Sequence, residues 1–184
     1  MKFWYDTEFL ENGVTIDLIS IGIVAEDGRE YYAVSEEMPW GHIVRHEWLM
    51  ANVVPSLPLK TNWDVPLLDR DHPDVKSRLD IRREIMTFFI MGNSPVELWA
   101  YHGAYDHICL AQLFGSMVDY PYKVLPTWTN DLMTEVERVG CYSDLPEQQA
   151  GLHNALADAR HLKLRHDFVA RKAEEMESRN ANHS

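Results

Sequence analysis

Apolar and polar positions alternate from Phe3 to Phe9, so that Trp4, Asp6 and Glu8 fall on one face of a strand while Phe3, Tyr5, Thr7 and Phe9 fall on the other. Asn12-Gly13 favours a hairpin turn, Ile16 to Ala25 is a long β-branched strand, and Asp27-Gly28 turns the chain back into Glu30 to Val34. The first 35 residues thus predict a three-stranded antiparallel meander. From Ser35 to about Asp74 the pattern is irregular, rich in proline and tryptophan, with one short helical candidate at Glu47 to Val54. This stretch reads as a variable excursion over the surface, an insertion of about 38–74.

Helical spacing returns at Asp74 or Val75 and continues through Leu79, Ile85, Met86 and Phe89 to Gly92-Asn93, and Val96 to Tyr101 follows as a strand. A second helix begins near Ala104, carries Ile108, Leu110 and Phe114, and stops at Gly115. A short strand is expected near Lys123 to Leu125, then a helix capped by Asn130 and ended by Gly140. The last helix is expected from about Asn154 to Glu177, with a flexible tail at 179–184. Three antiparallel strands followed by alternating helices and strands, with no internal repeat, predict an α/β fold: one mixed sheet flanked by helices, forming a single domain over 1–178. Helical crossovers make the later strands parallel and set the first and fourth side by side at the centre of the sheet. Asp6, Glu8 and the residues just past Tyr101 then converge.

Composition narrows the reading. The 184 residues suit one domain, and 46% apolar content suits a soluble globular chain. No stretch approaches the roughly 20 apolar residues of a membrane span, and the amino terminus lacks a signal-peptide layout, so a cytoplasmic setting is expected. Two cysteines, Cys109 and Cys141, offer no disulfide framework and are expected to be reduced. The net charge of -12 opposes a generic polyanion-binding surface. Clustered carboxylates that hold divalent cations would reverse that sign locally.

Three places in the chain carry candidate chemistry. Asp6 and Glu8, two apart on a central strand, would be costly to bury as a bare pair, and a cation would resolve the conflict; an edge strand with its polar face in water is the simpler alternative. Asp106 follows Gly103-Ala104-Tyr105 where a strand hands over to a helix, a usual place for ligands, although it could serve only the first turn of that helix. His153 and Asp158 bracket a helix start in which Ala155, Ala157 and Ala159 permit close approach to another layer. Capping and a surface charge would explain those two singly. His42 and His46 lack a third ligand and a zinc pattern, and His102, His107, His161 and His166 read as local structure.

Taken together, DxE at Tyr5-Asp6-Thr7-Glu8-Phe9, Asp106 about a hundred residues on, and His153-x4-Asp158 resemble the DEDDh 3'-5' exonucleases, which have a ribonuclease H-like fold. The segment Trp99-Ala100-Tyr101-His102-Gly103-Ala104-Tyr105-Asp106 fits that pattern apart from Gly103, where many members carry Asn. The head from Tyr5 to Gly13, Leu18 to Ala25, Glu97-Leu98-Trp99-Ala100 and the Gly-Ala-Tyr-Asp block are similar to the small mycobacterial and phage exoribonuclease group. No likeness extends across about 38–75.

The resemblance implies that Asp6, Glu8, Asp106 and Asp158 hold two Mg2+ or Mn2+ ions, with Asp6 bridging both, Glu8 and Asp158 completing one site and Asp106 holding the other. It implies that His153 is the general base, that single-stranded RNA 3' ends are the substrate, and that the chain is a homodimer. Phe9 could stack on a terminal base or belong to the core, and Gly103 and Tyr105 are further substrate candidates. RNA rests on the resemblance alone, since no residue can be assigned to the 2'-hydroxyl. A DNA exonuclease with the same machinery, a nucleic-acid-binding module without catalysis and a plain acidic interaction domain are the alternatives.

Overall fold

The computed structural model describes residues 1–60 and 66–181. The meander forms as expected: β1 (Lys2–Glu11), β2 (Ile16–Ala25) and β3 (Glu30–Ser35) pair antiparallel in turn. The turns use Gly13 at φ +81° and Gly28 at φ +88°, left-handed conformations that cost glycine nothing. Next come two short helices, α1 (Trp40–Ile43) and α2 (Glu47–Asn52), and a 3-10 turn over Val54–Ser56. The strand β4 (Val75–Lys76) leads into α3 (Arg78–Ile90), followed by β5 (Glu97–Ala100), α4 (Ala104–Gln112), β6 (Asn130–Asp131), α5 (Leu132–Val139) and α6 (Ala155–Ala181). The sheet order is β4-β3-β2-β1-β5-β6, with β5 parallel to β1 as its central neighbour. This is the mixed, helix-flanked sheet that the sequence predicts.

The alternation along β1 splits the core between the two faces. Phe3 and Tyr5 pack with Ile81, Ile85 and Phe89 of α3 and with Cys109 and Leu110 of α4. Trp4 packs on the other face with Leu132 and Val136 of α5, Leu162 and Val169 of α6, and Cys141. The two cysteines are buried in different clusters on opposite faces, which keeps them apart. A β-bulge at Glu8/Phe9 sets Leu18, rather than Ile19, opposite Phe9 and turns Ile19 to the face that carries Leu10. Bulges of this kind re-aim side chains beside functional positions.

Four expectations are corrected. Residues 123–125 are a turn, because the carbonyl of Pro121 takes the amides of both Val124 and Leu125, and the strand that pairs with β5 is Asn130–Asp131 instead. Asn130 therefore does not cap α5; Asp131 does, accepting from the amide of Met133, while Asn130 Nδ2 donates to the Leu98 carbonyl. The helix expected from Asp74 or Val75 starts at Arg78, since Val75 and Lys76 pair with Val34 and Ser35 and Ser77 is the cap. The excursion is no mere surface run: Ile43, Leu49, Val53, Val54, Leu57 and Leu68 build a second core against Leu10, Ile19 and Val34. Residues 61–65 of that excursion, and 182–184 of the expected tail, lie outside the described residues.

One close approach governs how α6 sits. A Cβ on Gly22 would lie 2.3 Å from the Leu156 backbone, and Ala155 and Ala159 are fully buried, so the start of α6 rests on β2 almost backbone to backbone. Gly22 is the register partner of Asp6. Gly22→Val is expected to lower stability by about 1–3 kcal/mol through overpacking, read by chemical denaturation, and to weaken any divalent-cation stabilisation by lifting Asp158 from Glu8.

Candidate active site

The pairing of β1 with β5 ends at Trp4 and Trp99, so β1 runs on past its neighbour and leaves backbone groups on that edge unmatched. Asp106, in the first turn of α4, fills the gap. Its Oδ1 accepts from the amide of Thr7 at 2.8 Å and from the Thr7 hydroxyl at 2.7 Å. The residue between the two motif carboxylates therefore ties the third carboxylate to them. The turn that delivers α4 is itself pinned, because the Asp131 carboxylate accepts from the amides of His102 at 3.1 Å and Gly103 at 3.0 Å. Any side chain at Gly103 would press on Ala100, whose Cβ lies 2.5 Å from the position of an added Cβ.

From the other side comes the start of α6. Asn154 caps it through Oδ1 to the amide of Ala157, and Asp158 reaches back to accept from the amide of His153 at 2.9 Å. Gln148 donates to the second Asp158 oxygen at 2.6 Å. This brings ligand atoms of Glu8, His153 and Asp158 within 4.8 Å of one another.

Charge completes the picture. Burial, then the charges of Asp106, Glu8 and Asp158, hold the Asp6 carboxyl well above the usual carboxylate range. Glu8, only 7% exposed, is pushed up to about 8 by burial and by Asp158 and Asp106. Burial raises Asp106 to about 6 against the lowering effect of the Thr7 bonds, and burial also raises Asp158. All four predicted carboxylates and His153 thus meet at one place, and the group is short of positive charge. Hard oxygen donors packed this way fit Mg2+ or Mn2+.

No family model matches the chain. Two curated relatives, the 3'-5' exoribonucleases of Mycobacterium tuberculosis strains CDC 1551 and H37Rv, are each 43% identical over 163 residues, 87% of this chain and 88% of theirs. The chain belongs to this 3'-5' exoribonuclease family. Among solved structures, S. pombe Pop2p in its Mg2+ and Mn2+ bound form aligns with a TM-score of 0.42 and 14% identity, over 100% of this chain and 85% of that one.

As a member of the exoribonuclease family, the chain also shows site residues that the motifs did not announce. Thr7 and Gln148 each bond a carboxylate, Asp131 holds the His102-Gly103 turn, and Trp48 and Ser56 reach His153 from the excursion. Thr7 sits inside the DxE motif, yet its parity assigns it to the far face, and only the early end of β5 lets Asp106 come to it. Of the substrate candidates, Phe9 stacks on Tyr105 with ring planes 7° apart and centroids 5.5 Å apart, and Tyr105 is exposed. Four of the other histidines have local partners: His46 caps α2, His161 meets the Pro146 carbonyl, His107 meets the Tyr5 hydroxyl, and His166 sits between Trp4 and Trp99. Among the described residues no helix is long and apolar enough to cross a membrane.

Proposed function

We propose that this chain hydrolyses single-stranded RNA from its 3' end by a two-metal-ion mechanism, releasing nucleoside 5'-monophosphates. The observation that carries the reading is the meeting of Asp6, Glu8, Asp106 and Asp158, from the first strand, the middle and the last helix, each held above the ordinary carboxylate range. Such a group is stable as ionised carboxylates only with cations among them. The four would hold two Mg2+ or Mn2+ ions, which when bound supply Lewis-acid stabilisation of the phosphate and favour ionisation of water.

The chain's own residues do the rest. His153 takes a proton from the water that attacks the phosphorus, with the Asp158 carboxylate fixing its backbone. Thr7 keeps the Asp106 carboxylate aimed inward, and Gln148 does the same for Asp158. The exposed ring of Tyr105, backed by Phe9, offers a platform for a terminal base beside the Gly103 turn. The names of the mycobacterial relatives support RNA as the polymer. A homodimer and a cytoplasmic setting belong to the same proposal, and light scattering on the purified chain checks the first.

Digestion of RNA labelled at either end tests the reading. With Mg2+, 3'-labelled RNA is expected to release label at once as a mononucleotide and 5'-labelled RNA to give a descending ladder, with no reaction in EDTA. A matched DNA oligonucleotide is expected to be cut more slowly. Internal fragments, or hydrolysis indifferent to chelation, would overturn it.

Stability should respond to pH in a definite sense. Glu8 and Asp106 have folded pKa values raised to about 8 and about 6, so their contribution is fully present below their ordinary values and is lost as pH rises through the folded ones. Metal-free protein is therefore expected to lose thermal stability between about pH 5 and pH 8 from this group. Mg2+ should raise Tm more at pH 8 than at pH 5.5, where protons compete for the same oxygens. Equal Mg2+ shifts at both pH values would contradict the assignment.

A further inference from the structure

Among the described residues, the excursion between β3 and β4 touches the site at two points, both on His153. The Trp48 indole stands edge to face with the His153 imidazole, centroids 4.8 Å apart and planes at 76°. The Ser56 hydroxyl lies 2.8 Å from the His153 carbonyl, and 2.9 Å from the carbonyl of Val53 in its own turn. Neither residue is acidic, and neither lies in the motifs that mark the family.

His153 needs such support. Its φ of +62° is in the left-handed region that residues with a Cβ adopt at a cost, so the surroundings must hold the backbone there. Asp158 takes the amide on one side and Ser56 meets the carbonyl on the other, which brackets the residue. The imidazole remains free to change rotamer unless something lies against it. Trp48 is the ring that does so.

The mount of Trp48 is rigid although the indole itself is 50% exposed. His46 caps α2 by accepting from the amide of Leu49, and Leu49, Val53 and Val54 are buried in the second core. A half-exposed indole on such a mount contributes little to that core. Its partner is the histidine.

We propose that residues 46–56 form a positioning arm for the general base, in which Trp48 orients the ring of His153 and Ser56 its backbone. The proposal rests on His153 as the base, the reading given above. It gives the excursion a role in catalysis, as the element that fixes the direction of proton transfer. Trp48 is a positioning residue and acts through His153.

Kinetics of Trp48→Ala, Trp48→Phe, Ser56→Ala and His153→Ala on a short RNA, alongside NMR of the histidine rings in metal-free protein, test it. Trp48→Ala is expected to lower kcat about tenfold, as misplacement of a reacting group does, with KM within about twofold. Trp48→Phe should recover most of the loss, and Ser56→Ala should lower kcat in the same sense. The ring-proton resonances of His153 should move in Trp48→Ala and stay near their parent positions in Trp48→Phe. Unchanged kcat with unmoved resonances would overturn the arm, and so would a loss confined to KM, which would place the indole on the RNA instead. Should Trp48→Ala fail to fold, Ser56→Ala and Trp48→Phe decide by the same two readouts. If His153→Ala keeps parent activity, the base assignment fails by itself, while the resonances still report whether Trp48 holds the ring.

Discussion

Asp6→Asn is expected to reduce exonuclease turnover by at least about a thousandfold, the loss of several kcal/mol of transition-state stabilisation, while making the metal-free protein more stable. The two effects have one cause. Asp6 lies among Glu8, Asp106 and Asp158, and their charges together with burial oppose its ionisation. Removing that charge would relieve the repulsion in metal-free protein and would deprive the proposed cations of a ligand. Thermal melts at pH 8 should show the variant a few degrees above the parent without metal, and below it with Mg2+. A variant destabilised in both conditions would mean that Asp6 serves the fold rather than a metal pair.

The second large effect belongs to His153. His153→Ala is expected to lower kcat by about 10²–10⁴, the usual contribution of a positioned base, with KM and the Mg2+-induced rise in Tm kept. Steady-state kinetics alongside Mg2+ melts separate the two roles open to this residue, which also lies within ligand distance of Glu8 and Asp158. A variant that loses Mg2+ stabilisation together with turnover would mark His153 as a metal ligand and remove it as the base.

Features governed by local periodicity and spacing were legible in the sequence. Alternation in β1 placed Asp6 and Glu8 on one face, and the small residues Ala155 and Ala159 announced the close contact that α6 makes, although its partner, Gly22, could not be named. Helical crossovers that force β1 and β5 together pointed Asp6, Glu8 and the residues just past Tyr101 to a shared centre, and the family resemblance added His153-x4-Asp158 to it. What stayed hidden depends on where strands stop and on contacts between distant segments. The Thr7 to Asp106 bonds exist only because the pairing of β1 with β5 stops at Trp4. Trp48 and Ser56 meet His153 across about a hundred residues, in a stretch without regular period. The strand expected at 123–125 failed for a local reason, since Pro121 supplies a carbonyl that closes a turn before any ladder can form.

All of this stands on carboxylates from three distant segments sharing one pair of cations. Titration of the metal-free protein with Mn2+ in the presence of excess nucleoside 5'-monophosphate, followed by electron paramagnetic resonance, counts those ions directly. Two bound Mn2+ per chain, falling to one or none in Asp6→Asn, is the predicted result. Binding that never saturates, or a stoichiometry the substitution leaves untouched, would contradict it.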